Sequence, residues 1–361
     1  LGWLYQFYIS EKKDQVMARK SAVPTEDIPA VTQLFTEDYM VLFLLHNTLG
    51  AWWAGKVLAA KPDLARSAGS EDELRAACAV QGLEWSYLRF VREGEVWRPA
   101  AGTFHGWPTA AKDLTVLDPC MGSGHFLAFA LPMLVALRRE EEKLSLAEAV
   151  DAVLRDNLFG LELDPRCTQI AAFNVGLTAW KLAGHRQLPP LNLACAGLAI
   201  NAPVAAWTAL AAGDALAENA MKQLYEVFRQ APTLGSLIDP TRVGGGELFV
   251  ASFDKIRGLL SSALASEESD ESELAVVAQG VARSAQLLMR QYNLVATNVP
   301  YLGRGKQAAE LQRFCETNYP ASQADLAAVF VERCLRYLKD GSSTAIVTKD
   351  EWFALVSYET L

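Results

Sequence analysis

Residues 114–127, with the sequence LTVLDPCMGSGHFL, constrain the fold of this chain more than any other stretch. They predict a short buried strand, an acidic residue, and a glycine-bearing turn that opens directly into an apolar helix from His125. In an α/β sheet, this arrangement presents backbone amides and a helix N-terminus to a nucleotide-like ligand. Gly122 and Gly124 carry no Cβ, so the turn can bend sharply and a ligand can touch the main chain.

Two classes of nucleotide ligand can be excluded from the sequence of this turn. A dinucleotide-binding turn requires a third glycine where Leu127 stands, and a P-loop requires Gly-Lys followed by Ser or Thr. The stretch has neither feature, so we do not expect a pyrophosphate or triphosphate ligand. The acidic Asp118 and the two-glycine turn suit a cofactor with a ribose and a charged amino-acid tail, namely S-adenosylmethionine. An ordinary strand–turn–helix connection in another α/β protein is the alternative.

Four further strands are predicted downstream, each separated from the next by helical sequence. They cover residues 157–164, 191–195, 292–297 and 343–348, the last after a predicted turn at residues 340–341. Strands that alternate with helices imply an α/β fold with a Rossmann-like, doubly wound and mostly parallel sheet.

Composition restricts the class of protein. The sequence has no run of eighteen apolar residues and no signal-peptide pattern, so we expect no membrane contact. Its six cysteines are scattered without a Cys-x-x-Cys pair, and its four histidines are dispersed. These features indicate a reducing cytoplasm and no metal site.

The second predicted strand ends in an acidic sequence, Gly-Leu-Glu-Leu-Asp-Pro at residues 160–165. An acid at the end of the strand beside the glycine turn can accept both hydroxyl groups of a cofactor ribose. Glu162 is the first candidate for this role and Asp164 the second. The alternative for Glu162 is an ordinary charged strand end.

The fourth predicted strand runs into Asn298-Val-Pro-Tyr301. An exocyclic amine is a poor nucleophile while its lone pair is delocalised into the ring. The Asn298 side-chain oxygen and the Val299 carbonyl can accept its two N–H bonds, and Pro300 restricts Val299 to extended conformations. Tyr301 offers a ring on which a base can stack, worth roughly 1–3 kcal/mol. In isolation, the same tetrapeptide could be a simple turn after a strand.

Taken together, the motifs resemble a known family. Residues 118–126, 160–165 and 298–301 are similar to the first, second and fourth motifs of amino-directed adenine-specific DNA methyltransferases. Residues 32–36, TQLFT, resemble the N-terminal cofactor segment of that family, and this motif order is the γ arrangement. With residues 1–8, LGWLYQFY, the chain most resembles the large (PglX-like) methyltransferases of BREX-type phage-defence systems.

The resemblance implies a class I methyltransferase that binds S-adenosylmethionine, flips an adenine out of double-stranded DNA and methylates its N6 amine to mark the host. It also implies other defence-system subunits as partners. The implied cofactor-binding residues are Phe35 and Thr36 at the methionine end, Asp118, Pro119, Cys120, Gly122 and Gly124 around the amino-acid part, and Glu162 with Asp164 at the ribose. The implied catalytic residues are Asn298 and Val299, which polarise the amine, Pro300, and Tyr301, which stacks on the adenine.

Three features depart from the family pattern. Val299 replaces the usual proline, which is tolerable because this position acts through its carbonyl group. The acid that contacts the cofactor adenine is missing at residues 195–198, and Asn201 and Asp214 are weak substitutes. The sequence also stops near the fifth strand, so we expect a fragment without the target-recognition domain that is inactive alone. The net charge of −9 agrees with a missing DNA-contacting domain, because DNA-binding proteins usually carry a basic face.

We divide the chain into five predicted regions. They are a helical N-terminal segment (1–60), an aromatic, turn-rich insertion (61–112), the cofactor-binding half (113–202), a helical insertion (203–290) and a truncated catalytic half (291–361). In the first region, Thr36-Glu-Asp predicts a helix N-cap followed by acidic residues. In the second, we expect a β-ribbon or ordered loop packed on the core, with a nucleic-acid-facing ribbon as the alternative.

Two other functions remain open from the sequence. The same tetrapeptide occurs in methyltransferases that act on protein glutamine or on RNA. A cofactor-binding subunit without catalytic activity is the non-enzymatic alternative.

Overall fold

The computed structural model describes residues 2–19, 21–34, 36–211, 213–242 and 269–350. Within these residues, five strands form one parallel sheet and two form an antiparallel hairpin. The strands are β1 (Phe90–Glu93), β2 (Val96–Pro99), β3 (Val116–Asp118), β4 (Leu158–Glu162), β5 (Asn192–Cys195), β6 (Tyr292–Asn298) and β7 (Leu338–Val347).

Helices surround the sheet and precede it in the chain. Those before β3 are α1 (Gly2–Ala18), α2 (Ile28–Thr32), α3 (Asp38–Leu45), α4 (Ala51–Ala60), α5 (Pro62–Ser67) and α6 (Glu71–Cys78). Those between β3 and β6 are α7 (His125–Glu142), α8 (Leu146–Asp156), α9 (Pro165–Ala183), α10 (Val204–Ala209), α11 (Ala215–Phe228), α12 (Ala231–Leu234) and α13 (Ser269–Met289). Between β6 and β7 lie α14 (Ala309–Asn318) and α15 (Leu326–Arg336).

The order of strands in the parallel sheet is β5-β4-β3-β6-β7. The chain therefore builds one half of the sheet outward from β3, then returns to the middle and builds the other half from β6. In such open sheets, ligands bind at the carboxyl ends of the strands where the order reverses. Here that position lies between β3 and β6.

The sheet is buried on both faces. Successive residues of a strand point to opposite faces, so Val116 and Leu117 of β3 belong to two different hydrophobic clusters. The cluster of Val116 packs the sheet against α3, α4, α7, α8 and α9. The cluster of Leu117 packs it against α11, α13, α14 and α15. The predicted doubly wound, mostly parallel α/β sheet is confirmed.

Local sequence explains several helix starts. Ser145 and Glu148 form a capping box at the start of α8, in which each side chain satisfies a backbone N–H of the other residue. The helix α9 begins with Pro165 at its first position and Asp164 as the N-cap. These signals were visible in the sequence because they depend only on neighbouring residues.

The aromatic run within residues 61–112 contains the hairpin β1–β2. Trp85 and Trp107 are buried in the same hydrophobic cluster as α3 and α4. These two indole rings therefore pack against the protein rather than face solvent.

Two local predictions are wrong. The N-cap of α3 is Glu37 rather than Thr36, because the Thr36 hydroxyl group is engaged by a side chain of β6 instead. The turn predicted at residues 340–341 lies inside β7, as an irregularity between the pairs Tyr292–Leu338 and Leu294–Ser343. Gly341 has a φ of 72° there, which lets the strand bulge without ending.

Parts of the predicted regions are not described. Residues 243–268 of the helical insertion and 351–361 of the catalytic half lie outside the described residues, so the five-region division stays a prediction. Among the described helices, none combines the length and apolar character needed to cross a bilayer.

Candidate active site

The glycine turn connects the carboxyl end of β3 to the first residue of α7. Gly122 has a φ of 52° and Gly124 a φ of 77°, both in the left-handed region that favours glycine. At Gly124 an added Cβ would also lie 3.0 Å from the Cβ of Ala171, so this glycine lets α7 approach α9 closely. The turn therefore requires glycine at both positions.

Asp118 lies beneath this turn rather than at the surface of a cleft. Its side chain is almost fully buried, and its Oδ1 accepts a hydrogen bond of 3.2 Å from the backbone N–H of Cys120. Burial disfavours the ionised form and raises the pKa of Asp118 to about 7. The carboxyl group therefore shapes the turn and changes charge near neutral pH.

Glu162, at the end of β4, is joined directly to the glycine turn. Its Oε2 accepts the backbone N–H of Gly122 at 2.7 Å, and its Oε1 accepts those of Leu163 at 2.8 Å and Asp164 at 3.0 Å. Burial raises the pKa of Glu162 although these three N–H groups favour its ionised form. The carboxylate brings the ends of β3 and β4 into one site.

Asp164 forms its hydrogen bonds and ion pair at the start of α9. It accepts the backbone N–H of Arg166 at 2.9 Å, forms an ion pair with the Arg166 side chain, and accepts the hydroxyl group of Tyr5 at 3.1 Å. Burial acts to raise the pKa of Asp164, but the hydrogen bonds and charge of Arg166 outweigh it and the pKa lies below its usual value. This acid anchors α1 and α9 and does not line the cleft described below.

Asn298 ends β6, next to β3. Its Nδ2 donates to the hydroxyl oxygen of Thr36 at 3.0 Å, and its Oδ1 accepts the hydroxyl proton of Tyr301 at 3.0 Å. The Tyr301 oxygen also lies 3.1 Å from the carbonyl oxygen of Val347 on the neighbouring strand. The backbone N–H of Val299 donates to that same carbonyl at 3.3 Å. The residues after β6 are therefore held against β7.

These strand ends share one cleft. The turn contributes Pro119, Cys120 and Gly122, β4 contributes Glu162, and the end of β6 contributes Asn298 and Pro300. Predicted residues from all three strands are thus brought together. The other described residues of the predicted site lie next to the cleft without lining it, namely Thr36, Asp118, Gly124, Asp164, Val299 and Tyr301. Phe35 lies outside the described residues.

Two stretches of the cleft wall were missed or only partly found from the sequence. Gln33 and Leu34 of the N-terminal segment line it. Both belong to the TQLFT motif, but Phe35 and Thr36 were the residues of that motif predicted to bind the cofactor. Residues 233–237 line it from the helical insertion, and Ser236 donates a hydrogen bond of 2.7 Å to the carbonyl group of Pro119. No sequence signal marked this second stretch.

The weak substitutes for the missing acid lie elsewhere. Asn201 is exposed, and Asp214 caps α11 by accepting the backbone N–H groups of Leu216 and Ala217. Neither residue lines the cleft. Among the described residues, no group of three or more His, Cys, Asp or Glu side chains is arranged to hold a metal ion.

Comparison with known proteins identifies the family of this chain. Residues 156–361 match the family of the Eco57I restriction-modification methylase. The chain belongs to this family. The predicted resemblance to adenine-specific DNA methyltransferases of BREX-type phage-defence systems is confirmed by this match together with the two relatives described next. Membership also agrees with the parallel sheet and its strand-end cleft.

Two curated relatives match the whole chain. The adenine-specific methyltransferase PglX of Lacticaseibacillus casei (strain Zhang) is 30% identical over 368 residues, which is 100% of this chain and 29% of the relative. The adenine-specific methyltransferase BrxX of Escherichia coli O9:H4 (strain HS) is 29% identical over 384 residues, which is 100% of this chain and 30% of the relative. The chain thus spans less than a third of the length of these relatives.

Two solved structures are similar at a lower level. A nuclease-deletion mutant of the Type ISP restriction-modification enzyme LlaGI, in complex with a DNA substrate mimic, has a TM-score of 0.45 and 12% identity, covering 91% of this chain and 19% of that one. A DrdV–DNA complex has a TM-score of 0.38 and 15% identity, covering 68% and 18%.

Proposed function

We propose that this protein transfers the methyl group of S-adenosylmethionine to the N6 amine of adenine in double-stranded DNA, after base flipping, and so marks host DNA in a BREX-type phage-defence system. The observation that carries the proposal is the shared cleft of Gly122 and Asn298, at the ends of the neighbouring strands β3 and β6. The methylase family and the adenine-specific relatives support the same reaction.

The residues of the cleft fit this cofactor chemically. Glu162 offers a buried carboxylate that can accept one ribose hydroxyl group rather than both, because a carboxylate has about four acceptor sites and three of them take backbone N–H groups here. Leu34, Leu163 and Leu237 provide apolar walls. The bound cofactor supplies an electrophilic methyl group, and the acids beside the turn complement its positive charge.

Asn298 and Val299 would activate the target amine. The Asn298 Oδ1 and the Val299 carbonyl accept its two N–H bonds and draw the nitrogen lone pair out of the ring. The Tyr301 hydroxyl now donates to Asn298 Oδ1, but the carbonyl of Val347 at 3.1 Å is a second acceptor for the same proton. Turning that hydroxyl group toward Val347 frees Asn298 Oδ1 for the amine while the Tyr301 ring stacks on the base.

No strong general base is required at the amine. Its nitrogen carries an extra proton only after methyl transfer, when that proton is acidic and passes to water. This is consistent with the placement of Asp118, whose raised pKa would suit a base but whose side chain is buried beneath the turn. Double-stranded DNA and further defence-system subunits are the proposed partners of the full-length protein.

The test is transfer of tritiated methyl groups to unmethylated duplex DNA by the full-length protein. We expect N6-methyladenine as the product and a loss of at least about a hundredfold in kcat for Asn298→Ala, a typical cost of removing one activating group. Asn219→Ala, in an exposed position of α11, is the matched control and should leave kcat unchanged.

Other outcomes separate the alternatives. Methylation of RNA or of glutamine peptides, with DNA left unmodified, would overturn the proposed substrate. Calorimetric binding of the cofactor without transfer to any of these substrates would indicate a non-catalytic subunit.

A further inference from the structure

The side-chain amide of Asn298 has two chemically different ends, and only one can activate an amine. Its Oδ1 accepts hydrogen bonds, whereas its Nδ2 only donates them. If the group turned over, an N–H would face the N–H of the target and no acceptor would be left there. The position of this amide relative to the target amine therefore decides whether the proposed site is competent.

Two hydroxyl groups contact the two ends of this amide and hold the side chain in place. Thr36 accepts from Nδ2 at 3.0 Å, and Tyr301 donates to Oδ1 at 3.0 Å. The Tyr301 hydroxyl has Val347 as a second acceptor and can leave Asn298, so the Thr36 contact is the one that persists when the amine takes its place. Thr36 is thus the steadier of the two partners.

The position of Thr36 agrees with a role toward Asn298 rather than toward the cofactor. The Thr36 side chain is 6% exposed and belongs to the segment between α2 and α3. Gln33 and Leu34 of that segment line the cleft, whereas Thr36 does not. The segment reaches across 262 residues of sequence to the end of β6.

We propose that Thr36 is a positioning residue whose hydroxyl group holds the Asn298 side chain in place at the end of β6, where its amide can meet the target amine. The inference rests on the proposed function, and it assigns Thr36 a different role from the cofactor contact implied by the sequence resemblance. A side chain of the same shape without the hydroxyl group leaves Nδ2 without this partner and allows the Asn298 side chain to move away from the target amine.

The test compares Thr36→Val, which removes the hydroxyl group, with Thr36→Ser, which keeps it, in the full-length protein. We expect Thr36→Val to lower kcat on the order of fivefold to tenfold at saturating cofactor, as loss of one hydrogen bond implies. The Kd of the cofactor, measured by calorimetry, should stay within about twofold, and Thr36→Ser should retain kcat. Thr208→Val, the same change for a hydroxyl group in α10, is the control and should leave both quantities unchanged.

Two results would overturn the inference. A raised Kd with unchanged kcat would assign Thr36 to the cofactor, and an equal loss of kcat in the Val and Ser variants would indicate a purely structural role. A melting temperature for each variant separates these results from misfolding.

A second readout does not depend on methyl transfer. The ¹⁵N-labelled side-chain amide of Asn298, assigned by its loss in Asn298→Asp, should shift and exchange faster in Thr36→Val but not in Thr36→Ser. An unmoved resonance would refute the hydrogen bond. If the wild type transfers no methyl group to DNA, the proposed function fails, while this measurement still decides the role of Thr36.

Discussion

At the scale of single residues, two buried carboxyl groups set the charge around this cleft. Asp118 and Glu162 both lie at strand ends where water is largely excluded, and burial raises the pKa of each. Exposed carboxyl groups are ionised throughout the neutral range, but Asp118 with a pKa of about 7 is not. Its charge can therefore control how the turn attracts a cationic ligand.

We expect the affinity for S-adenosylmethionine to fall as the pH is lowered below 7. Asp118 is neutral below its folded pKa of about 7 and ionised above it, and the ionised form attracts the ammonium group of the cofactor. The association constant, measured by calorimetry from pH 8 to 5.5, should fall by up to about tenfold per pH unit below 7. Asp118→Asn should bind weakly at pH 8 and lack this slope, and the exposed Asp113→Asn should keep it.

At the scale of elements, the bulge in β7 is explained by a contact between two glycines. Gly106, in the loop before β3, faces Gly341 so closely that an added Cβ would lie 2.4 Å from the Gly341 carbonyl oxygen. Backbone atoms cannot yield as a flexible side chain can. The aromatic insertion and the edge strand β7 therefore fit together only where both positions lack a side chain.

We expect Gly106→Ala to lower the free energy of unfolding by about 1–3 kcal/mol, the usual cost of overpacking. Urea unfolding monitored by tryptophan fluorescence measures this change. Gly305→Ala is the matched control, because its added Cβ meets no atom within 4 Å, and it should change stability by less than about 0.5 kcal/mol. Equal stabilities of the two variants would contradict the close approach.

At the scale of the whole molecule, Arg333 joins the helical insertion to the sheet. It is buried on α15 and donates to the carbonyl groups of Ser236 at 3.1 Å and Ile238 at 2.7 Å, and its guanidinium lies 3.1 Å from Asp239. Ser236 in turn holds Pro119 of the glycine turn. One buried cation thus links the insertion, the second half of the sheet and the strand-end cleft.

Replacing this cation should destabilise the fold and loosen the cleft together. We expect Arg333→Met to lower the free energy of unfolding by about 3–5 kcal/mol, because Asp239 and the carbonyl groups lose their partner. Cofactor affinity, measured at a temperature where the variant is folded, should also fall. Arg336→Met on the same helix removes a half-buried pair with Glu332, a hydrogen bond to the carbonyl group of Asn318 and a contact with the Tyr319 ring, and should cost less, about 1–2 kcal/mol.

Much of the architecture could be predicted because it depends on local sequence. The glycine turn, the strand-end acids and Asn298-Val-Pro-Tyr301 were identified as motifs at the ends of apolar runs. Parallel strands align their carboxyl ends, so those motifs were expected to meet. The irregular start of β7 was not predicted, because the residue that requires it, Gly106, is distant in the sequence.

By itself, the sequence determined the order of strands and helices and the residue types at the ends of β3, β4 and β6. Only the tertiary structure decided that Glu162 binds the Gly122 amide, that Thr36 holds Asn298, and that residues 233–237 wall the cleft. The physical reason is the distance along the sequence over which each kind of interaction acts. Backbone preferences and hydrophobic periodicity act over a few residues, whereas these contacts join segments whose distance depends on how every intervening element packs.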